Sequence, residues 1–233
     1  MQPSRSSVQS KIPYGRIVRS KVDLFRAPID RALDRLWSDP DARGAYTRFI
    51  VHTHQVIRAS VPLMEVARRR ALELAPADPV CAPLADYLAA HIEEERGHDA
   101  WAKEDLEVVA GSSDALAATP PACVAAAVGA QYYWIFHHHP VTILGYIAVL
   151  EDGPDSAGDF FRVLMERTGF PEAAFRALRH HVELDPAHRR DLYDLFDRLP
   201  LSALHKEAIG VGLVHTAIAL AECIDGLPSP SRR

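Results

Sequence analysis

The chain has 233 residues, 48% apolar and 24% charged, a balance that excludes global disorder and suits one large domain with its own core. Lys and Arg number 26 against 31 Asp and Glu, and the net charge of -5 disfavours broad binding to phosphate backbones. The three cysteines, Cys81, Cys123 and Cys223, lie far apart without a CxxC pair, which suits a reducing cytoplasm better than a disulfide framework.

Residues 1–20 are polar and punctuated by Pro3, Pro13 and Gly15. They read as a tail without the apolar core of a signal peptide. A single helical domain is expected over 21–226, with 227–233 as a second tail. Its first helix fits 22–37. Asp39-Pro40-Asp41 then caps a long helix over 41–74, with a kink at Pro62. A third helix fits 81–109 and stops at Gly111, and a fourth fits 122–138. The apolar run 141–150 halts at Glu151-Asp152-Gly153-Pro154. Helices over 155–167 and 172–198 follow, the latter interrupted by Pro186. The last starts at Leu199-Pro200-Leu201-Ser202 and runs to 224. Its apolar part carries His215 and Glu222, so it reads as a core helix rather than a membrane span. The expected fold is all-α, a bundle of seven to eight helices.

Twelve histidines, several beside carboxylates, are the compositional oddity. In His91-Ile92-Glu93-Glu94-Glu95-Arg96-Gly97-His98, a helical turn places Glu95 and His98 about 60° apart on one face. That spacing can bring a carboxylate and an imidazole to one ion. His91 and Glu94 share the face. A solvated acidic face with a capping histidine is the alternative. In the segment 181–188, His181, Asp185 and His188 fall on one stripe, which is poor core material unless something pairs with it. Pro186 disfavours helical geometry at these positions. Glu151 closes an apolar run at a helix end, where a core-facing carboxylate needs a cation nearby. Together these segments supply imidazoles and carboxylates in the proportion that a non-haem dinuclear site requires.

The run His91, Glu94, Glu95, His98, Trp101, Asp105, then a central Glu, then His181, Asp185 and His188 resembles the haem-oxygenase-like diiron oxidases and oxygenases, over about residues 40–225. The resemblance implies a haem-oxygenase-like bundle without haem, with two irons per chain or manganese in their place. One metal would be held by Glu95, His98 and His181, the other by Glu151, Asp185 and His188, with His91 and Glu94 as alternates. It implies dioxygen activation on an amino-acid-, amine- or fatty-acid-derived substrate. A metal-independent, thiaminase-like hydrolase and a non-catalytic metal- or haem-binding protein are the alternatives, with His52 or His54 as the haem ligand. Tyr132, Tyr133, His137 and His215 are candidate pocket residues. The partners expected are dioxygen and a small molecule, with homodimerisation open, and neither nucleic acid nor membrane. His205, in the first turn of the last helix, stands outside every cluster.

Overall fold

The computed structural model describes residues 12–152 and 158–227. These form nine α-helices and no strand: α1 Tyr14–Trp37, α2 Ala42–Leu74, α3 Cys81–Glu95, α4 His98–Ala110, α5 Ala122–His137, α6 Ile143–Leu150, α7 Gly158–Thr168, α8 Arg176–Arg198 and α9 Ala203–Asp225. The expected turn at Gly153-Pro154 and helix start at 155 lie outside the described residues.

Two expectations are corrected. The first helix begins at Tyr14, so the segment 14–20 is not a tail. Gly15 marks a close approach rather than a break: its N–H donates to Asp197 on α8 at 2.7 Å. A Cβ there would sit 2.7 Å from the Tyr193 carbonyl oxygen. The expected helix over 81–109 is two helices, α3 and α4. α2 and α8, by contrast, run unbroken through Pro62 and Pro186.

α2 is the central element, packed against α3, α4 and α5. Its C-terminal half gives Leu63, Met64, Ala67 and Ala71 to one apolar cluster, shared with α3, α6, α8 and α9. Its N-terminal end gives Tyr46 and Ile50 to another, shared with α4, α7 and Phe175. Between them α2 buries polar groups, His52, His54, Gln55 and Ser60. Of these, His52 and Ser60 line the cavity beside the site. α9, long and apolar enough to cross a membrane, packs against α1, α5 and α6. Gly145 and Gly212 let α6 and α9 touch: a Cβ on Gly145 would lie 2.2 Å from the Ile209 carbonyl oxygen. This packing seats the C-terminal end of α6, and so Glu151, inside the bundle.

Candidate metal centre

α3 ends at Glu95 and α4 starts at His98. Between them Arg96 is extended and Gly97 is left-handed, with φ 91°. Glycine reaches that conformation without the steric cost of a Cβ. The pair therefore meets across a corner rather than along one helical face, with Glu95 Oε2 3.1 Å from His98 Nδ1. His181 joins them from α8. Its Nδ1 donates to the Ala177 carbonyl at 2.7 Å, which leaves the Nε2 lone pair free to hold a cation. The ligand atoms of Glu95, His98 and His181 all lie within 4.8 Å of one another. His98 Nδ1 is buried without a hydrogen bond, so its nearest carboxylate leaves it unsatisfied.

A second triad stands beside the first, and its membership differs from the expected one. His91, Glu151 and His188 also have ligand atoms within 4.8 Å of one another. Glu151 Oε1 is 3.3 Å from His91 Nε2, and Oε2 is 3.3 Å from His188 Nδ1. His91 thus takes the place assigned to Asp185, because it lies one turn before Glu95 on the buried face of α3. Asp185 lines the adjoining cavity but lies outside both triads. Glu94 flanks the second triad at its solvent side, 3.4 Å from His91 Nδ1 and 3.7 Å from His188 Nε2. Glu95 joins the triads: its Oε1 is 3.6 Å from His188 Nδ1 while Oε2 faces His98.

Protons balance these charges in the metal-free protein. Burial pushes the Glu151 carboxyl up, but the His188 and His91 imidazoles outweigh it and hold it at about 2. The same contact to Glu151 raises His188 to about 9 despite burial. His91, depressed by burial, is raised on balance by Glu151 and Glu95. Burial and the Glu151 charge lift Asp185 to about 8, so it keeps a proton at neutral pH. The cations that a core-facing Glu151 requires are therefore histidines. Its neighbour Asp152 is clamped by Arg26 at 2.7 Å and Arg189 at 3.8 Å, which pins the end of α6.

The motif residues Trp101 and Asp105 have structural roles. Trp101 stacks between His98 and His180, with ring centroids 4.1 and 4.3 Å away. The Asp105 carboxylate accepts from the backbone N–H groups of Arg176 and Ala177, at 3.0 and 2.9 Å. It caps α8 from another helix and sets the turn preceding His181.

A cavity of about 240 Å³ opens on the two triads. Its wall includes His91, Glu95, Glu151, His181 and Asp185 among apolar side chains of α2, α6, α8 and α9. Tyr132, Tyr133, His137 and His215 do not line it, which corrects the expected pocket. α5 turns Tyr133 and His137 outward, where their rings lie tilted against each other with centroids 4.8 Å apart. His52 does line the cavity, whereas His54 does not.

A further cluster, Asp78, Cys81 and His139, also has ligand atoms within 4.8 Å, and His205 adjoins it. Its protonation pattern argues against metal. Backbone N–H groups of Val141 and Ser202 donate to Nδ1 of His139 and His205, at 3.1 and 3.3 Å. Each Nε2 must then carry the hydrogen, and each points at Asp78, at 3.3 and 3.0 Å. Two imidazoles tied to one carboxylate make a structural latch, so His205 is not outside every cluster.

Known proteins fit this architecture. A domain of unknown function with a haem-oxygenase-like fold from Shewanella denitrificans superposes with TM-score 0.76 at 13% identity, covering 94% of this chain and 93% of that one. A TenA homologue from Pseudomonas syringae pv. tomato superposes with TM-score 0.67 at 10% identity, covering 97% and 98%. Both likenesses establish the fold. No curated protein matches the chain. The model of the iron-containing redox enzymes matches residues 53–222, a span that takes in both triads and most of the cavity wall, and the chain belongs to that family.

Proposed function

We propose that the protein is a non-haem diiron oxidase or oxygenase acting on a small molecule held in the 240 Å³ cavity. One observation carries the reading: two imidazole–carboxylate triads, one buried and one half-buried, joined at Glu95 and bordering one largely apolar cavity. Glu95, His98 and His181 would hold one iron; His91, Glu151 and His188 would hold the other, with Asp185 beside them. The chemistry that iron supplies when bound is the reductive activation of dioxygen. The chain's own residues do the rest. Ala177 fixes the His181 ring, Glu94 orients His91, and the apolar wall excludes water from the reacting end. In the metal-free protein burial and the Glu151 charge leave Asp185 holding a proton at the cavity wall.

The thiaminase-like alternative requires an activated thiol at the cavity, and among the described residues no cysteine lines it. Cys81 has an imidazole 3.5 Å away, but burial followed by the Asp78 charge pushes its thiol up to about 11. Anaerobic Fe(II) loading followed by metal analysis and oxygen uptake tests the proposal. About two irons per chain and oxygen consumption are expected. His188→Ala should keep the fold and lose one iron and the uptake. Parental iron content and uptake in His188→Ala would overturn the assignment.

A further inference from the structure

Two of the three cysteines, far apart along the chain, meet in the fold. α5 and α9 pack against each other, and Gln131 Nε2 donates to Thr216 Oγ1 at 3.1 Å across their contact. Further along α5, Trp134 and His138 share a pocket wall with Leu204, Ala208 and Val211, which precede Thr216 on α9. The two helices are therefore antiparallel. Cys123 stands eight residues before Gln131 and Cys223 seven after Thr216, ~12 and ~10.5 Å along the respective axes. Cys123 also lies eleven residues before Trp134, about 20° off the same helical line, so it shares the face on which Trp134 meets α9. That register sets the two thiols opposite each other, and they are in hydrogen-bond contact.

The pair is unequal. Cys223 is 2% exposed, and burial followed by the contact with Cys123 raises its thiol above the usual range. Cys123 is half-buried in the first turn of α5. A small oxidant therefore reaches Cys123 first, with Cys223 placed as the resolving thiol. Both residues lie at helix ends. No side chain caps the first turn of α5, which follows the exposed Pro121, and Cys223 stands three residues before the C-cap of α9 at Gly226. The end of α5 can thus make the small shift that takes two thiols in contact to an S–S bond of ~2.05 Å. Neither cysteine lines the metal-bordering cavity or belongs to a triad, so the pair is separate from the iron centre.

We propose that Cys123 and Cys223 are a redox modification site, a dithiol that a hydroperoxide converts to a disulfide and a thiol reductant restores. With hydrogen peroxide, the Cys123 sulfur attacks one oxygen and the O–O bond breaks. The departing hydroxide takes the thiol proton and leaves as water, and Cys123 becomes a sulfenic acid. The Cys223 sulfur then attacks the Cys123 sulfur. The S–S bond forms as the S–O bond breaks, and a second water carries off the Cys223 proton. Two electrons pass from the sulfurs to the peroxide. The bond ties the start of α5 to the end of α9, next to Ile224 on the cavity wall.

The test treats the full chain with hydrogen peroxide at neutral pH and counts thiols after denaturation. The three free thiols per chain should fall to one. Peptide mapping should place the survivor at Cys81 and the bond between Cys123 and Cys223. Closing a loop of about 100 residues should raise Tm by at least ~5 °C, and dithiothreitol should reverse the rise. Cys223→Ser should show no rise and should hold Cys123 as a sulfenic acid that dimedone traps. Cys123→Ser should leave Cys223 reduced. Melts of both untreated variants check that the fold is kept, and the wild-type thiol count decides the matter if either fails to fold. The proposal is overturned if that count stays at three, if Cys123 passes to a sulfinic acid without bonding Cys223, or if Cys123 bonds between copies of the chain. It is equally overturned if the oxidised chain melts no higher than the reduced one, since the bond would then have formed only in an opened protein.

Discussion

Gly97→Ala probes the corner that joins the two parts of the HxxEExxH segment. Gly97 has φ 91° and ψ 1°, and a Cβ placed on it meets no atom within 4 Å. No clash complicates the substitution, so its cost is the left-handed backbone itself, ~1–2 kcal/mol. For a protein of this length that lowers Tm by about 2–8 °C. Alanine also favours a continuous helix by ~1 kcal/mol over glycine. Straightening the corner would redirect α4 and carry His98 away from His181 on α8, whose ring centroid is 5.4 Å away. The expected result is a lower Tm together with loss of about one of two irons per chain, read by differential scanning calorimetry and metal analysis after Fe(II) loading. Gly97→Asn, which tolerates the left-handed region better, should show a smaller fall in both. A Gly97→Ala protein that melts with the parent and holds the same iron would refute the role given to this corner.

Metal stabilisation should grow with pH. His188 is raised to about 9, so its contribution to the metal-free fold is complete below ~6.5 and is lost as pH rises through about 9. Asp185 acts with the same sign, its contribution complete below ~3.9 and lost as pH rises through about 8. Metal must displace such protons, at ~1.4 kcal/mol per proton per pH unit. The gain in Tm on Mn(II) addition should therefore increase from pH 6 to pH 9, and a pH-independent gain would contradict the proton balance. Asp105→Ala removes the cap on α8 and should cost ~1–2 kcal/mol by urea denaturation, with metal affinity falling in step. Unchanged stability would mean that water replaces the cap. His205→Ala breaks the Ser202 capping box and the tie to Asp78, and should lower stability by ~1 kcal/mol without changing iron content. A loss of iron in that variant would place the latch in the metal centre after all.

Much of the architecture was legible along the chain because helix formation is governed by near neighbours. Ala, Leu, Glu and Arg runs between Pro and Gly punctuation place most helices within a few residues of where they occur. The residues that could hold metal were legible too, since an imidazole or carboxylate in a buried stripe stands out from ordinary core material. The failures have a common cause. Gly97 inside an otherwise helical run reads as a tolerated residue, and only packing of α3 and α4 against α2 selects the corner over a straight helix. Gly15 reads as a breaker, yet it is the contact of α1 with α8.

The sequence by itself determined the helical class and offered an inventory of candidate metal ligands: Glu95, His98, Glu151, His181, Asp185 and His188, with His91 and Glu94 as alternates. Tertiary structure decided how that inventory is divided. Glu151 and His188 come from segments tens of residues apart, and their distance to His91 depends on how the ends of α3, α6 and α8 meet, a property no local spacing encodes. The same packing turned Tyr133 and His137 outward and put His52 on the cavity wall. Periodicity tells which residues share a helical face, but the neighbour that face meets is set by helix crossing angles and by contacts such as Gly145 on α9.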